Sequence, residues 1–512
     1  MTLGSRFTRW AAPAVASLAV AAVAIYLIAV KAVRLDEAYT MQTATGSLAW
    51  TFRQSLRFEL QPPIYFLAVN LWLRICPSVE FARAFSLVCV LLTIPLLWAT
   101  VRRFSSGLQP QAWTAALLAV SPPLLWAATE ARTYALAMLL VAASTFCFAR
   151  IWLEEKPPPT WCFAAWVAAS YLALCSHYFT GFALLGQGMS VLMLRRRART
   201  LATGAAILAV AMLPWLPGIV RQVLQHPTQP SVTSTTAPAG LLEVAGAILR
   251  SGLRELWRPF FFGPLPSGLL FRAVAVVGML LLAAACWAPR NRTAVGARAA
   301  WVAFGVPVLI LFTLRATGAA LVSERHWLVA TPAGLVAVAL SAGSVSTRML
   351  AYLARIGPIA LFAASDVGLA MKISPIDYRA AGRFLTENVA PGEPVLVFPP
   401  EFVLPVAYEF PRREQLHGLP LDVTSEQYPY PDSSWYVRDG CAVLRRLSSV
   451  RDLPGRAWIV RHPRPDHGQA VLDSVLLALP HRSTEFAGVT VIGLDLSSVI
   501  LDSGSAGRCT PN

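Results

Sequence analysis

Charge is what this chain has least of. Asp, Glu, Lys and Arg make up only 14% of its 512 residues, while hydrophobic residues make up 56%. An ordinary soluble domain carries about 25% charged residues. The shortfall excludes a solvated globular protein and indicates a polytopic membrane protein. Other absences narrow the class further. There is no P-loop string, which argues against an ATP-driven motor. There is no CxxC spacing, so no zinc site of that kind. No internal repeat is visible, where secondary transporters commonly carry one.

Acidic residues are rarer still in the first 371 positions, which hold 11 Asp and Glu against 29 Lys and Arg, a net charge of +18. Residues 372–512 are nearly balanced at −2. The positive excess therefore belongs to the apolar part of the chain. Its charges are scattered among apolar runs and form no continuous basic face, which excludes nucleic acid as a partner. Anionic lipid headgroups or a phosphate-bearing substrate fit better. Of the eight cysteines, Cys76, Cys89, Cys147, Cys162, Cys175 and Cys286 fall in or beside apolar runs and read as small buried side chains. Cys441 and Cys509 lie in the polar tail, where a disulfide between them would require an oxidising compartment.

What the chain does have is long apolar runs. About eleven read as spans: 11–30, 81–100, 111–128, 134–153, 161–176, 178–194, 201–220, 265–287, 299–314, 327–345 and 350–371. The first reads as a retained span: it is too long for a leader's apolar core and no small-x-small cleavage site precedes Lys31 and Arg34. Short basic loops, with Arg195-Arg196-Arg197-Ala198-Arg199 the strongest, alternate consistently if the N-terminus is cytoplasmic. The apolar stretch from Pro62 to Cys76 has only about fifteen residues; if it crossed, every later basic loop would invert. It reads instead as a juxtamembrane helix started by Pro62-Pro63. This topology expects Asp36-Glu37, Glu130, His177, Arg325 and the tail on the outer face. It also puts Arg34, Arg53, Arg57, Arg74, Arg83, Arg132, Arg221, Arg254 and Arg258 there, arginines that the positive-inside rule does not predict and that an anionic ligand would explain for a subset.

Residues 372–512 differ in kind. A helical pattern over 377–389 precedes strand-like runs at 393–398, 456–462 and 489–496, with loop expected between about 411 and 440. The expectation is two domains: an all-α membrane bundle over 1–371 and a small soluble α/β domain over 372–512.

Four polar clusters are expected to meet at the outer interface. They are Asp36-Glu37; the Gln61-Pro62-Pro63-Ile64-Tyr65 string with Glu80 and Arg83; Glu130-Ala131-Arg132-Thr133-Tyr134; and Ser176-His177-Tyr178-Phe179. Ionisable groups at the edge of the hydrocarbon are costly and tend to be functional. A carboxylate can take a proton from a hydroxyl, arginine suits phosphate oxygens, and the Asp36-Glu37 pair could hold a hard divalent cation. Structural readings stand beside each: Glu37 as a solvated loop charge, Glu130 and Arg132 as a structural ion pair, His177 as a hydrogen-bonding boundary residue, Tyr134 and Tyr178 as interfacial anchors. Asp366, inside the last span, has no functional reading.

Six strings in order, LDEAYT (35–40), QPPIYFLAVNLWLR (61–74), FARAFSL (81–87), SPPLLWAATEARTYAL (121–136), SHYFTGFALLGQ (176–187) and ERHWLVATPAGL (324–335), resemble the GT-C superfamily of membrane glycosyltransferases. The similar branch is that of the protein O-mannosyltransferases and lipid A aminoarabinose transferases. The resemblance covers about residues 10–345, and the tail is similar to the extracytoplasmic domain of many bacterial members. It implies a bacterial-type inner (plasma) membrane enzyme with its C-terminal domain outside. The implied donor is a polyprenyl-phosphate sugar, transferred with inversion to a hydroxyl of a lipid, polysaccharide or protein. It implies Asp36 as catalytic base, Glu130 as a second acidic position, and Arg83, Arg132 and Arg325 as donor-phosphate contacts. Glu37, Pro62, Pro63, Tyr65, Tyr134, His177 and Tyr178 complete the expected substrate site. Gln61 stands where the aminoarabinose branch often has lysine, which leaves the acceptor open. The resemblance fixes no cofactor, and a divalent cation is left open. A polyprenyl-linked sugar flippase or other transporter is the rival expectation; it would favour midplane polar residues and inverted repeats.

Overall fold

The computed structural model describes residues 3–105, 108–225, 292–316, 323–345, 348–371, 376–422, 437–450, 455–463 and 468–496, together with Phe260, Gly278, Leu280, Leu281, Ala283 and Ala284. The described chain forms two compact units. One comprises residues 1–29, 44–56 and 60–372; the other comprises 30–43, 57–59 and 373–512.

The first unit is helical. Its long helices are α1 (Leu3–Val30) and α5 (Val79–Arg102), followed by α6 (Leu108–Ala119), α7 (Pro122–Ala128) and α8 (Tyr134–Phe148), the last extended by a π turn to Leu153. Between α1 and α5 lie α2 (Leu35–Ala44), α3 (Leu48–Arg57) and α4 (Ile64–Leu73). Then come α9 (Trp161–Leu174), α10 (Thr180–Leu194), α11 (Ala198–Met212), α12 (Leu216–Gln225), α13 (Arg292–Ala316), α14 (Thr331–Ser344) and α15 (Arg348–Met371).

Among the described residues, six helices are long and apolar enough to cross a bilayer: 10–30, 79–102, 134–153, 198–220, 293–315 and 351–370. Large apolar side chains on them stay exposed, Leu18 at 69% and Val210 at 65% among them, as lipid-facing positions require. Of the remaining expected spans, 111–128 is broken at Ser121, because Pro122-Pro123 starts a new helix at its first turn. Those at 161–176, 178–194 and 327–345 hold helices of 14, 15 and 14 residues, about 21–23 Å long. The span at 265–287 lies outside the described residues apart from a few positions. Helix α4 is ten residues, about 15 Å, half the hydrocarbon thickness of about 30 Å.

Close backbone approach and buried hydrogen bonds hold the bundle. At the α10–α13 crossing a Cβ on Gly186 would lie 2.5 Å from the Ala303 carbonyl oxygen, and Ser190 Oγ donates to the Ala299 carbonyl oxygen at 2.8 Å. One turn away, Gln187 Oε1 accepts from Ser144 Oγ (3.1 Å) and Trp166 Nε1 (3.0 Å), while its Nε2 donates to Thr145 Oγ1 (3.3 Å). This buried knot ties α8, α9 and α10, and its polar atoms are satisfied by one another in an apolar surrounding.

The second unit contains a five-stranded mixed sheet, order β2-β1-β3-β5-β4. Its strands are β1 (Val395–Phe398), β2 (Leu416–Gly418), β3 (Arg456–Arg461), β4 (His481–Phe486) and β5 (Val489–Asp495). β1 runs parallel to β2 and β3; β5 runs antiparallel to β3 and β4. Alternate residues feed two cores. Val395, Val397, Val460 and Val491 pack on one face with α16 (Tyr378–Asn388) and α17 (Val403–Glu409); Leu396, Phe398, Ile459 and Ile492 pack on the other with α18 (Gly440–Ser449) and α19 (Gln469–Leu477). β1 is buried on both faces, which is why it reads as the continuous apolar run VLVF. Asp377 caps α16 by accepting the Ala380 N–H at 2.9 Å. Cys441 is disulfide-bonded, and Cys509 lies outside the described residues.

Candidate functional site

The helical unit brings together the Thr129–Thr133 link, the turn that carries His177 and the Pro62-Pro63 end of α4. α7 ends at Ala128, and the short link Thr129–Thr133 turns tightly, with the Arg132 N–H donating to the Glu130 carbonyl oxygen at 2.9 Å. Glu130 is 3% exposed. Tyr134, first residue of α8, packs its ring 5.5 Å from His177 and 6.4 Å from His326 (centroid distances). His177 sits in the turn between α9 and α10. The Ile64 N–H, where α4 begins after Pro62-Pro63, donates to the Cys175 carbonyl oxygen at 3.2 Å. That bond brings the proline pair to the His177 turn. Tyr65, fully buried, lies edge-on to Phe66 at 5.2 Å. Tyr178 is half-buried beside His177.

His177 is 2% exposed. Its Nδ1 accepts the Phe179 N–H at 3.2 Å, so the neutral ring carries its proton on Nε2. That Nε2 is buried and has no hydrogen-bond partner among the described residues. Burial, and after it the neighbouring Arg132 guanidinium, lowers the His177 pKa from 6.5 to about 3. The ring is therefore neutral at physiological pH and presents an N–H donor.

His326 repeats the arrangement. It belongs to a 3₁₀ turn, Glu324–Val329, and its Nδ1 accepts the Ser323 N–H at 3.0 Å in a capping box. Its ring lies 5.4 Å from that of His177 and 4.3 Å, edge-on, from Phe179. Arg325, expected as a donor-phosphate contact, is half-buried on the same turn; no sequence expectation fell on His326. The local cue was Ser323 three residues before a side chain able to accept its N–H.

Arg83 has a different setting. It is fully buried on α5, and its Nη1 donates to the Ile28 carbonyl oxygen at 3.2 Å, in the last turn of α1. A cation there satisfies a carbonyl left over at a helix C-terminus.

Asp36 and Glu37 stand in the other unit. They occupy the first turn of α2, where carboxylates are favoured by the helix dipole. Their settings differ. Asp36 is half-buried. Glu37 is fully buried: its Oε2 accepts the Arg34 N–H at 3.1 Å and its Oε1 lies 3.9 Å from Lys31 Nζ, itself 2% exposed. The Arg34–Glu37 bond is the reciprocal half of a capping box. Among the described residues no three or more His, Cys, Asp or Glu side chains come together as a metal site.

No protein-family model matches this sequence, and no curated protein matches it. Solved structures do. ArnT from Cupriavidus metallidurans bound to undecaprenyl phosphate superposes with a TM-score of 0.53 at 13% identity, over 96% of this chain and 98% of that one. ArnT from the same organism in the apo state gives 0.50 at 13% identity, over 94% and 97%. The chain thus has the ArnT fold, a polytopic helical membrane architecture with a small C-terminal sheet region, as the six strings implied.

Proposed function

We propose that a protein with this fold and these polar groups is an integral membrane glycosyltransferase, which moves a sugar from a polyprenyl-phosphate donor to an acceptor hydroxyl. The observation that carries the reading is the fold shared along nearly the whole chain with ArnT, solved with undecaprenyl phosphate. The helical unit supplies suitable donor contacts. Arg132 and Arg325 offer guanidinium groups to phosphate oxygens. His177 contributes a buried N–H donor held neutral, which adds hydrogen bonding without the desolvation cost of another buried charge. His326 has the same tautomer. Tyr134 and Tyr178 flank the sugar, and Pro62, Pro63 and Tyr65 shape the wall.

In the transfer step Asp36 accepts the proton of the acceptor hydroxyl as that oxygen forms a bond to the anomeric carbon. The bond from that carbon to the phosphate oxygen breaks, its electron pair leaves with the phosphate, and the configuration inverts. Polyprenyl phosphate is a stable anion, so the leaving side needs no strong general acid. Glu130 orients the acceptor or sugar hydroxyls. No step is routed through a cation. The acceptor is a lipid, polysaccharide or protein. On this reading the protein belongs in a bacterial-type inner membrane, with residues 372–512 as an extracytoplasmic domain.

The test is release of polyprenyl phosphate from radiolabelled polyprenyl-phosphate sugars by the purified protein in lipid nanodiscs. The reading expects cleavage and label transfer from at least one hexose or pentose donor, lost in Asp36→Asn and Asp36→Ala at unchanged protein level. Translocation of labelled donor in vesicles without cleavage would replace it with a flippase. Wild-type turnover by both variants would remove Asp36 as the base.

A further inference from the structure

The end of the helical unit opposite the candidate site carries a second polar assembly, which the proposed transfer does not use. α8 starts at Tyr134 beside His177, and its twenty residues to Leu153 rise about 30 Å, the thickness of a bilayer's hydrocarbon. Its last turn is π-helical, with the Glu154 N–H donating to the Ala149 carbonyl oxygen at 3.1 Å, a form often found at functional positions. The α10–α11 link folds against this turn. Trp152 Nε1 donates to the Arg197 carbonyl oxygen at 3.3 Å, Arg197 Nη1 donates to the Ile151 carbonyl oxygen, and Arg196 Nη1 lies 3.5 Å from that of Leu153. These two guanidinium groups serve the carbonyls left over at the C-terminal end of α8. The link that presents them has left-handed backbone at both Arg195 (φ +51°) and Arg197 (φ +50°). Strain of that kind persists only where surrounding contacts impose it, and it gathers at ligand clamps.

Arg150, in the π turn itself, has no such use. Its guanidinium lies over the Trp161 ring at 5.5 Å, a cation–π contact, and its Nε is enclosed with no hydrogen-bond partner among the described residues. Glu154, four residues on, pairs instead with Arg103 at 3.3 Å. Trp161 is 51% exposed, as an indole at a membrane boundary is. The surrounding charge is one-sided: the links 102–104, 149–160 and 195–199 hold eight Lys and Arg against two Glu. On α10, Leu185, Met189, Leu192 and Met193 form an exposed apolar stripe that runs up to Arg195, a surface suited to lipid chains. We propose that Arg150 and Trp161 bind the phosphodiester headgroup of an anionic glycerophospholipid. The half-buried guanidinium gains the counter-charge it lacks, through charge-assisted hydrogen bonds to phosphate oxygens. The indole rests at headgroup level, and the basic links attract the lipid's negative charge. The acyl chains cover the α10 stripe, a contact that a free anion cannot make, and this is why the occupant is a lipid. The site is separate from the donor contacts and does not depend on the reaction proposed there.

Lipid binding is the readout. Full-length protein purified in non-ionic detergent is titrated with dioleoyl phosphatidylglycerol or dioleoyl phosphatidylcholine, and bound lipid is counted by native mass spectrometry. The wild-type protein should hold one phosphatidylglycerol at least tenfold more tightly than phosphatidylcholine, and excess inorganic phosphate should not displace it. Arg150→Gln should weaken phosphatidylglycerol at least tenfold. Arg199→Gln removes the same charge from an exposed position in the neighbouring link and should change affinity less than twofold. Equal losses in the two variants would mean diffuse attraction to a basic surface and overturn the proposal. So would the absence of a preference for phosphatidylglycerol. Displacement by inorganic phosphate would assign the site to a free anion and overturn the lipid. Should Arg150→Gln fail to accumulate, Trp161→Leu is read in its place, at an exposed position where the fold tolerates the change: a loss of at least threefold beside an unchanged Arg199→Gln supports the site, and wild-type affinity refutes it.

Discussion

His177 shows how a single side chain combines packing with chemistry. Its two ring nitrogens have different fates: Nδ1 is used by the Phe179 N–H, and Nε2 is enclosed without a partner among the described residues. With a folded-state pKa of about 3 against an ordinary 6.5, the unfolded chain binds the extra proton first as pH falls. Stability due to His177 is therefore fully present above about 6.5 and is lost as pH drops toward 3, by at most about 1.4 kcal/mol per pH unit. Melting temperature in detergent should fall between pH 6.5 and 4, and His177→Gln should flatten that part of the curve. A His177→Gln profile with the wild-type acid slope would locate the sensitivity elsewhere. Part of the residue-level pattern was legible: Arg132 and Tyr134 do come beside His177, each from a short link between apolar helices. His326 was not legible, since its proximity to Tyr134 and His177 depends on tertiary packing that no local spacing encodes. The unequal environments of Asp36 and Glu37 were likewise hidden, because neighbouring residues on a helix point about 100° apart and only the surrounding fold decides which is enclosed.

At the scale of elements, helix existence followed from long apolar runs, while helix continuity did not. The run 111–128 looks like one span, yet Ser121-Pro122-Pro123 ends one helix and starts another. In the sheet, β1, β3 and β5 announce themselves by apolar residues, whereas β2 is three residues long and β4 is mostly exposed HRSTEF, so neither has the alternation that marks a half-buried strand. Interhelical contact is the other property invisible to periodicity. Gly186 reads as a weak point in α10, but its missing side chain is what lets α13 approach. Gly186→Ala would drive a methyl group against the Ala303 backbone and should destabilise the bundle by about 1–3 kcal/mol, measurable as a lower melting temperature in detergent. Gly305→Ala on α13, where an added Cβ meets nothing within 4 Å, should leave that temperature unchanged or slightly raised.

At the scale of the whole molecule, the chain divides by compactness differently from how it divides by composition. The change at about residue 372 is plain in hydropathy and charge, but the structure also assigns residues 30–43 and 57–59 to the unit containing the tail. Those segments are too short and too ordinary in composition to reveal that affiliation. It arises from a few packed residues, Ala32 and Leu35 chief among them. The fold as a class was readable from the order of six strings along the chain, and its likeness to ArnT holds at 13% identity, where few individual residues carry the correspondence.

The bond from the Ile64 N–H to the Cys175 carbonyl gives α4 a mechanical meaning. If this ten-residue helix lies at the membrane surface, as its length and apolar composition lead one to expect, its height would follow the lipid beneath it. Its first turn is tied to the turn that carries His177, so vertical travel of α4 would tug on the donor contacts proposed there. Turnover in bilayers of increasing acyl length, from fourteen to about twenty-two carbons, should consequently pass through an optimum, with donor KM rising on both sides. Replacing Ile64 by proline, which has no N–H to donate, should cut the tether and broaden that optimum.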